Sequence, residues 1–154
     1  MSSFSSPHEK HEHSFKNVLS YMYEYDDFMD SVGRVIDLGC DVEATNMLWW
    51  ANATTRDETQ TPLGIKCLGV NTFKKLNTKH NSIAYQNHNI ESLSSVKKTF
   101  DIVWCYDQLQ YLLNPYQALS NWWHIADTDA MMVLAVPQTV NTEYHIQEYN
   151  LALG

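Results

Sequence analysis

Apolar positions along this chain fall into alternating helical and strand-like rhythms. Between His13 and Met29 the residues Phe15, Val18, Leu19 and Met22 recur at the spacing of one helical face. A short β-branched and aliphatic run over 34–38 follows, ending at Gly39. A second helical pattern covers about 44–53, with Met47, Leu48 and Ala51 on its inward side. The stretch 53–62 is polar and aperiodic and reads as a loop. Beyond it the pattern predicts a strand over 64–70, a short helix from Phe73 to His80, a strand over 82–85 and a loop from Gln86 to Leu93. A fourth strand falls at 100–105 and a helix at 116–125, with Asn114 as its cap and Pro115 at its first position. The last apolar run, 130–137, is a fifth strand. Strands alternating with helices predict an α/β three-layer sandwich around a mostly parallel sheet of about five strands.

Composition adds three constraints. The 154 residues suit one domain, expected over 13–154 and preceded by a flexible polar tail over 1–12. Hydrophobic residues make up 44% of the chain, enough to fill a core, and a formal net charge of −8 argues against a nucleic-acid partner, which needs a basic face. Cys40, Cys67 and Cys105 form no CxxC pair and lie in or beside apolar runs, as reduced buried thiols do. With no apolar run of membrane-spanning length and a polar N-terminus, the reading is a cytoplasmic protein. His8, His11 and His13 lack a completing ligand set and read as a solvated tail, so no metal is expected.

Chemistry is concentrated at the end of the first strand. Val35-Ile36-Asp37-Leu38-Gly39-Cys40 gives a strand, a tight turn and a helix start, the kind of corner where α/β sheets hold ligands. This stretch resembles the first motif of class I S-adenosylmethionine-dependent methyltransferases, a hydrophobic pair, Asp, an aliphatic residue, then Gly-x-Gly-x-Gly. Asp41 and Glu43 stand where that family has its second and third glycines. Gly69-Val70-Asn71 resembles the family's Gly-aliphatic-Asp, with Asn71 at the position of the ribose-binding acid. Asn89 stands at the place of the aspartate that meets the adenine amino group. The fourth strand, Phe100-Asp101-Ile102-Val103-Trp104-Cys105, is followed by Leu109-Gln110-Tyr111, similar to the Leu-Glu-His triplet of the small-molecule type. Asn114-Pro115-Tyr116 is like the Asn-Pro-Pro-Tyr signature of amino-group methyltransferases on nucleic acid, but it lies about nine residues past the strand end and lacks the second proline.

The resemblance covers roughly 33–137 and implies a Rossmann-like fold, S-adenosyl-L-methionine as cofactor and methyl transfer to a small-molecule acceptor. The cofactor-binding positions it implies are Asp37, Gly39, Cys40, Asp41, Asn71, Thr72, Asn89, Ile90, Cys105 and Tyr106. Asp107, His124 and His145 are proton acceptors by residue type, and nothing in the sequence chooses a catalytic residue among them. The alternative is a non-catalytic methyltransferase-like binding or assembly protein with a degenerate cofactor site, suggested by Asp41, Glu43, Asn71 and Asn89. A dehydrogenase-like nucleotide binder ranks last, because Gly-x-Gly-x-x-Gly is absent. The family's last two strands have no counterpart after Pro137. This implies either a fragment or a minimal form with an open sheet edge, and such an edge invites an oligomer or a partner chain.

Overall fold

The computed structural model describes residues 7–24, 31–93, 96 and 99–136. Five strands, β1 (Arg34–Leu38), β2 (Lys66–Asn71), β3 (Ile83–Asn87), β4 (Phe100–Tyr106) and β5 (Ala126–Ala135), form one sheet in the order β3-β2-β1-β4-β5. All four pairings are parallel. β1 is therefore central, and four of its five residues are buried. Strands buried on both faces read as continuous apolar runs rather than alternating ones, as Val35-Ile36 and Ile102-Val103-Trp104 do.

Each face carries its own core. On one face Val35, Cys67, Ile102 and Trp104 pack with Met47 and Trp50 of α2 (Thr45–Ala51) and with Phe15 and Met22 of α1 (Pro7–Glu24). α1 lies on α2, with the Phe15 ring stacked on Trp49 at 5.5 Å and meeting Trp50 edge-on at 5.0 Å. On the other face Ile36, Leu38, Val70 and Val103 pack with Ala118, Trp122 and Ile125 of α3 (Pro115–Ile125). The expected three layers are present.

Several boundaries differ from the sequence reading. α1 begins at Pro7, inside the stretch expected to be a tail, and its last described residue is Glu24, the rest of the expected helix lying outside the described residues. Phe73–His80 is not a helix. The Tyr85 hydroxyl donates to the carbonyls of Asn71 and Phe73, Asn77 N donates to the Val42 carbonyl at 2.8 Å, and the Thr78 hydroxyl reaches the Glu43 carbonyl at 2.7 Å. These contacts hold the segment against the first turn, and Asn and Thr compete for backbone bonds that a helix would use. β5 starts at Ala126, directly after α3, and its pairing with β4 breaks register opposite Phe100–Ile102, where Asp129 is left-handed at φ 61°. The α3 cap is as expected, with Gln117 N donating to Asn114 Oδ1 at 3.0 Å and Pro115 at the helix start.

Candidate functional site

The carboxyl ends of β2, β1 and β4 converge on the turn after β1. Gly39 sits there at φ 81°, a left-handed conformation that favours glycine, and its N–H donates to the Val70 carbonyl of β2 at 2.8 Å. A Cβ at Gly39 would lie 2.3 Å from Cγ and 2.9 Å from Oε1 of Gln108, so the Gln108 side chain rests directly on the bare face of the turn. Gly69, beside Asp37 in register on β2, has the same need for space, since a Cβ there would meet Met47 Cε at 2.4 Å and Cys40 Sγ at 2.7 Å.

Most of the polar side chains predicted for the site are bonded within the protein. Asp41 turns into the start of α2, accepting from Thr45 N at 2.8 Å and from the Thr45 hydroxyl. It takes the place of an N-cap side chain, since Ala44 before the helix is left-handed and offers none. Glu43 accepts from Asn77 Nδ2 at 2.9 Å. Asn71 Nδ2 donates to the Cys40 carbonyl at 2.7 Å and its Oδ1 accepts from Thr72 N at 2.8 Å, which clasps the end of β2 to the turn after β1. Asn89 folds into a local turn by accepting from Glu91 N at 2.9 Å. Ile90 is buried with the second core, and its carbonyl accepts from Trp122 Nε1 at 2.7 Å. Cys105 is buried at the end of β4, and Tyr106 beside it is half-buried.

Asp37 is different. It is only 1% exposed, it lies between Gly69 and Trp104 in register, and its Oδ2 has no hydrogen-bond partner among the described residues. Burial, and then the charge of Asp41, raise its pKa to about 8. The protonated acid is thus the favoured form at neutral pH. The same burial, and then the nearby Asp37, push all three thiols up, Cys67 to about 12 and Cys40 and Cys105 further. None of them is a nucleophile in this state.

The proton-acceptor candidates separate by position. Asp107 follows β4 at the same edge as Gly39, held at φ 56° with its N–H on the Ala135 carbonyl at 2.7 Å. His124 lies in the last turn of α3, which leads into the start of β5, and so stands at the opposite edge of the sheet. His145 lies outside the described residues. Among the described residues no group of His, Cys, Asp or Glu is placed to hold a metal, and no helix is long and apolar enough to cross a membrane. Sequence reasoning missed Gln108; Gln110, read there only as part of the triplet, is buried and its Nε2 donates to Asp107. The one signal for Gln108 is its place between the β4 end and the Leu109-Gln110-Tyr111 triplet.

No protein-family model matches the chain, and no curated protein matches it in sequence. Solved structures do match in fold. The plantazolicin methyltransferase BpumL, crystallised with a desmethylPZN analogue and S-adenosyl-L-homocysteine, aligns at a TM-score of 0.63 and 12% identity over 96% of this chain and 58% of its own. The N-methyltransferase NodS from Bradyrhizobium japonicum, also with S-adenosyl-L-homocysteine, aligns at 0.59 and 13% identity over 84% of this chain and 62% of its own. The chain has the class I methyltransferase fold. A chain of the complex containing the Haloferax volcanii Trm112 methyltransferase activator aligns at 0.53 and 13% identity, over 87% of this chain and 62% of its own. The present chain thus spans about three fifths of the length of these structures.

The corner meets the fold's usual cofactor in one respect and only partly in another. The backbone turn at Gly39 leaves a face against which the movable Gln108 side chain lies. The side chain expected to hold the ribose, Asn71, already makes one bond at each polar end inside the protein, which leaves one N–H and one lone pair of its amide for a ligand.

Proposed function

We propose that this chain is the cofactor-binding sheet of an S-adenosylmethionine-dependent methyltransferase acting on a small-molecule acceptor. One observation carries the reading. Gly39, left-handed at the carboxyl end of the central strand, presents its Cα-H face beside the strand ends of β2 and β4, at the corner where α/β sheets hold ligands. The bound cofactor supplies an electrophilic methyl group on a sulfonium sulfur. The work left to the protein is placement and the exclusion of water.

Three groups of this chain act in that placement. Gly39 gives close backbone approach, which a Cβ would block. Asn71 fixes the turn through the Cys40 carbonyl, so the β1 and β2 ends move as one. Gln108 must swing off Gly39 before anything can lie against the turn. Asp107, at this edge, is the group suited to take a proton from an acceptor. The acceptor itself is read as small by the Leu109-Gln110-Tyr111 triplet and by the acidic balance of the chain.

A second reading, a binding or assembly protein without methyl transfer, is favoured by Asn71 and Asp41. Their polar atoms already make bonds that serve the fold. A partner fits either reading. Among the described residues β3 and β5 each have a strand on one side only, and such edges accept another chain. The deciding experiment incubates the purified protein with S-adenosylmethionine and panels of small amines, hydroxyls, thiols and carboxylates, and follows release of S-adenosyl-L-homocysteine. Turnover with any acceptor supports the transferase. Cofactor binding without turnover across all panels supports the second reading, and absence of binding overturns the cofactor assignment.

A further inference from the structure

A cavity lined by described residues lies away from the Gly39 corner. It holds about 530 Å³, within the range of small-molecule sites, and opens at the amino-terminal ends of β1, β2, β3 and β4. Its floor is apolar. Leu68 and Ala84 are register partners on one sheet face, and Phe100 at the start of β4 closes the end. Its rim carries Arg34 and Lys66, the first residues of β1 and β2, whose backbones pair in register.

The charge at this rim runs against that of the chain. The protein carries 18 acidic residues to 10 basic ones, yet among the described residues no Asp or Glu lines the cavity. Among the described residues Lys66 Nζ meets the Ser82 hydroxyl, at 3.4 Å. Asp101 is spent on backbone near Arg34, with its Oδ2 accepting from Gly33 N at 2.7 Å and Arg34 N at 2.9 Å. Two cations without carboxylate partners among the described residues thus stand over an apolar floor in an acidic protein. Arg offers a planar fork of donors and Lys a point charge, and both select an anionic head group.

We propose that this cavity is a second ligand site, which takes a small organic anion made of one acidic head group on a compact apolar body. The head group lies between Arg34, Lys66 and the Ser82 hydroxyl, and the apolar body lies on Leu68, Ala84 and Phe100. The site is independent of the Gly39 corner, because the two lie at opposite ends of the parallel strands.

The test uses naphthalene-2-sulfonate, an organic anion of this shape, titrated into the isotope-labelled protein and followed through backbone amide NMR shifts. The expected result is saturable shifts at Leu68, Ser82, Ala84 and Phe100, with Gly39 and Cys40 unmoved. Arg34→Ala and Lys66→Ala should each weaken binding about tenfold, the scale of one charge-assisted hydrogen bond. Ala84→Trp, which fills the floor and leaves both cations, should abolish binding. Both rim side chains are exposed, so the alanine variants keep the fold. The proposal is overturned if the neutral analogue 2-naphthalenemethanol binds as tightly, if inorganic phosphate alone gives the same affinity, or if the shifts fall elsewhere.

Discussion

At the scale of single residues, the side chains that depart from the methyltransferase pattern are accounted for by bonds inside the protein. Asn71 needs both its donor and its acceptor, since Nδ2 serves the Cys40 carbonyl and Oδ1 the Thr72 amide. Asn71→Asp would set a carboxylate oxygen against that carbonyl, and chemical denaturation should find the variant less stable by about 1–3 kcal/mol. A gain in stability would mean that the clasp is not formed. Asp37 yields a pH prediction. Its folded pKa of about 8 lies above the ordinary 3.8, so the folded state holds its proton more tightly than the unfolded chain does. Its contribution to stability is full below about 3.8 and is lost as pH rises through about 8. Denaturation midpoints for Asp37→Asn should therefore gain on the parent as pH rises from 5 to 8, by up to about 1.4 kcal/mol per pH unit. A difference independent of pH would contradict a buried, proton-holding Asp37. The sequence made Asp37, Gly39 and the departures visible. The bonds of Asn71 and the cover of Gln108 were not legible, because they join residues far apart in the chain whose pairing only the sheet register fixes.

At the scale of elements, strands were easier to read than the segments joining them. β1, β4 and α3 stand within a residue of their apolar runs, because burial on a sheet face or helix stripe leaves a period. Phe73–His80 kept a helix-like spacing but is held by Tyr85, Val42 and Glu43, contacts that no local pattern announces. α2 shows what Asp41 contributes. With Ala44 left-handed and no side-chain cap of its own, the helix start relies on Asp41 for the Thr45 amide and hydroxyl. Asp41→Ala should cost about 1 kcal/mol in stability, the usual worth of an N-cap side chain lost to alanine. If thermal unfolding shows no loss, Asp41 is not the cap of α2. α1 depends on Phe15, buried between Trp49 and Trp50. Phe15→Ala should cost about 3–5 kcal/mol and release α1 to faster amide exchange, while protection of the β1 and β4 amides persists longer. Equal loss of protection across the sheet would contradict a helix docked on α2.

At the scale of the whole molecule, the order β3-β2-β1-β4-β5 places the termini of the three inner strands around one turn. Their parallel register means that a single glycine can face all three strand ends at once. The sheet therefore sets up two separate places, a backbone corner at the carboxyl edge and a cationic groove at the amino edge. The fold was readable in advance because strand and helix alternate in the sequence. The state of the corner was not, since it depends on Gln108 lying across Gly39. The central claim is that Gly39 is the cofactor seat and that Gln108 covers it. Calorimetric titration of S-adenosyl-L-homocysteine into the parent and into Gln108→Ala tests this most directly. The account predicts that both bind and that the alanine variant binds about tenfold more tightly, since no side chain must then be displaced. Absence of heat from both proteins, or weaker binding by Gln108→Ala, would contradict it.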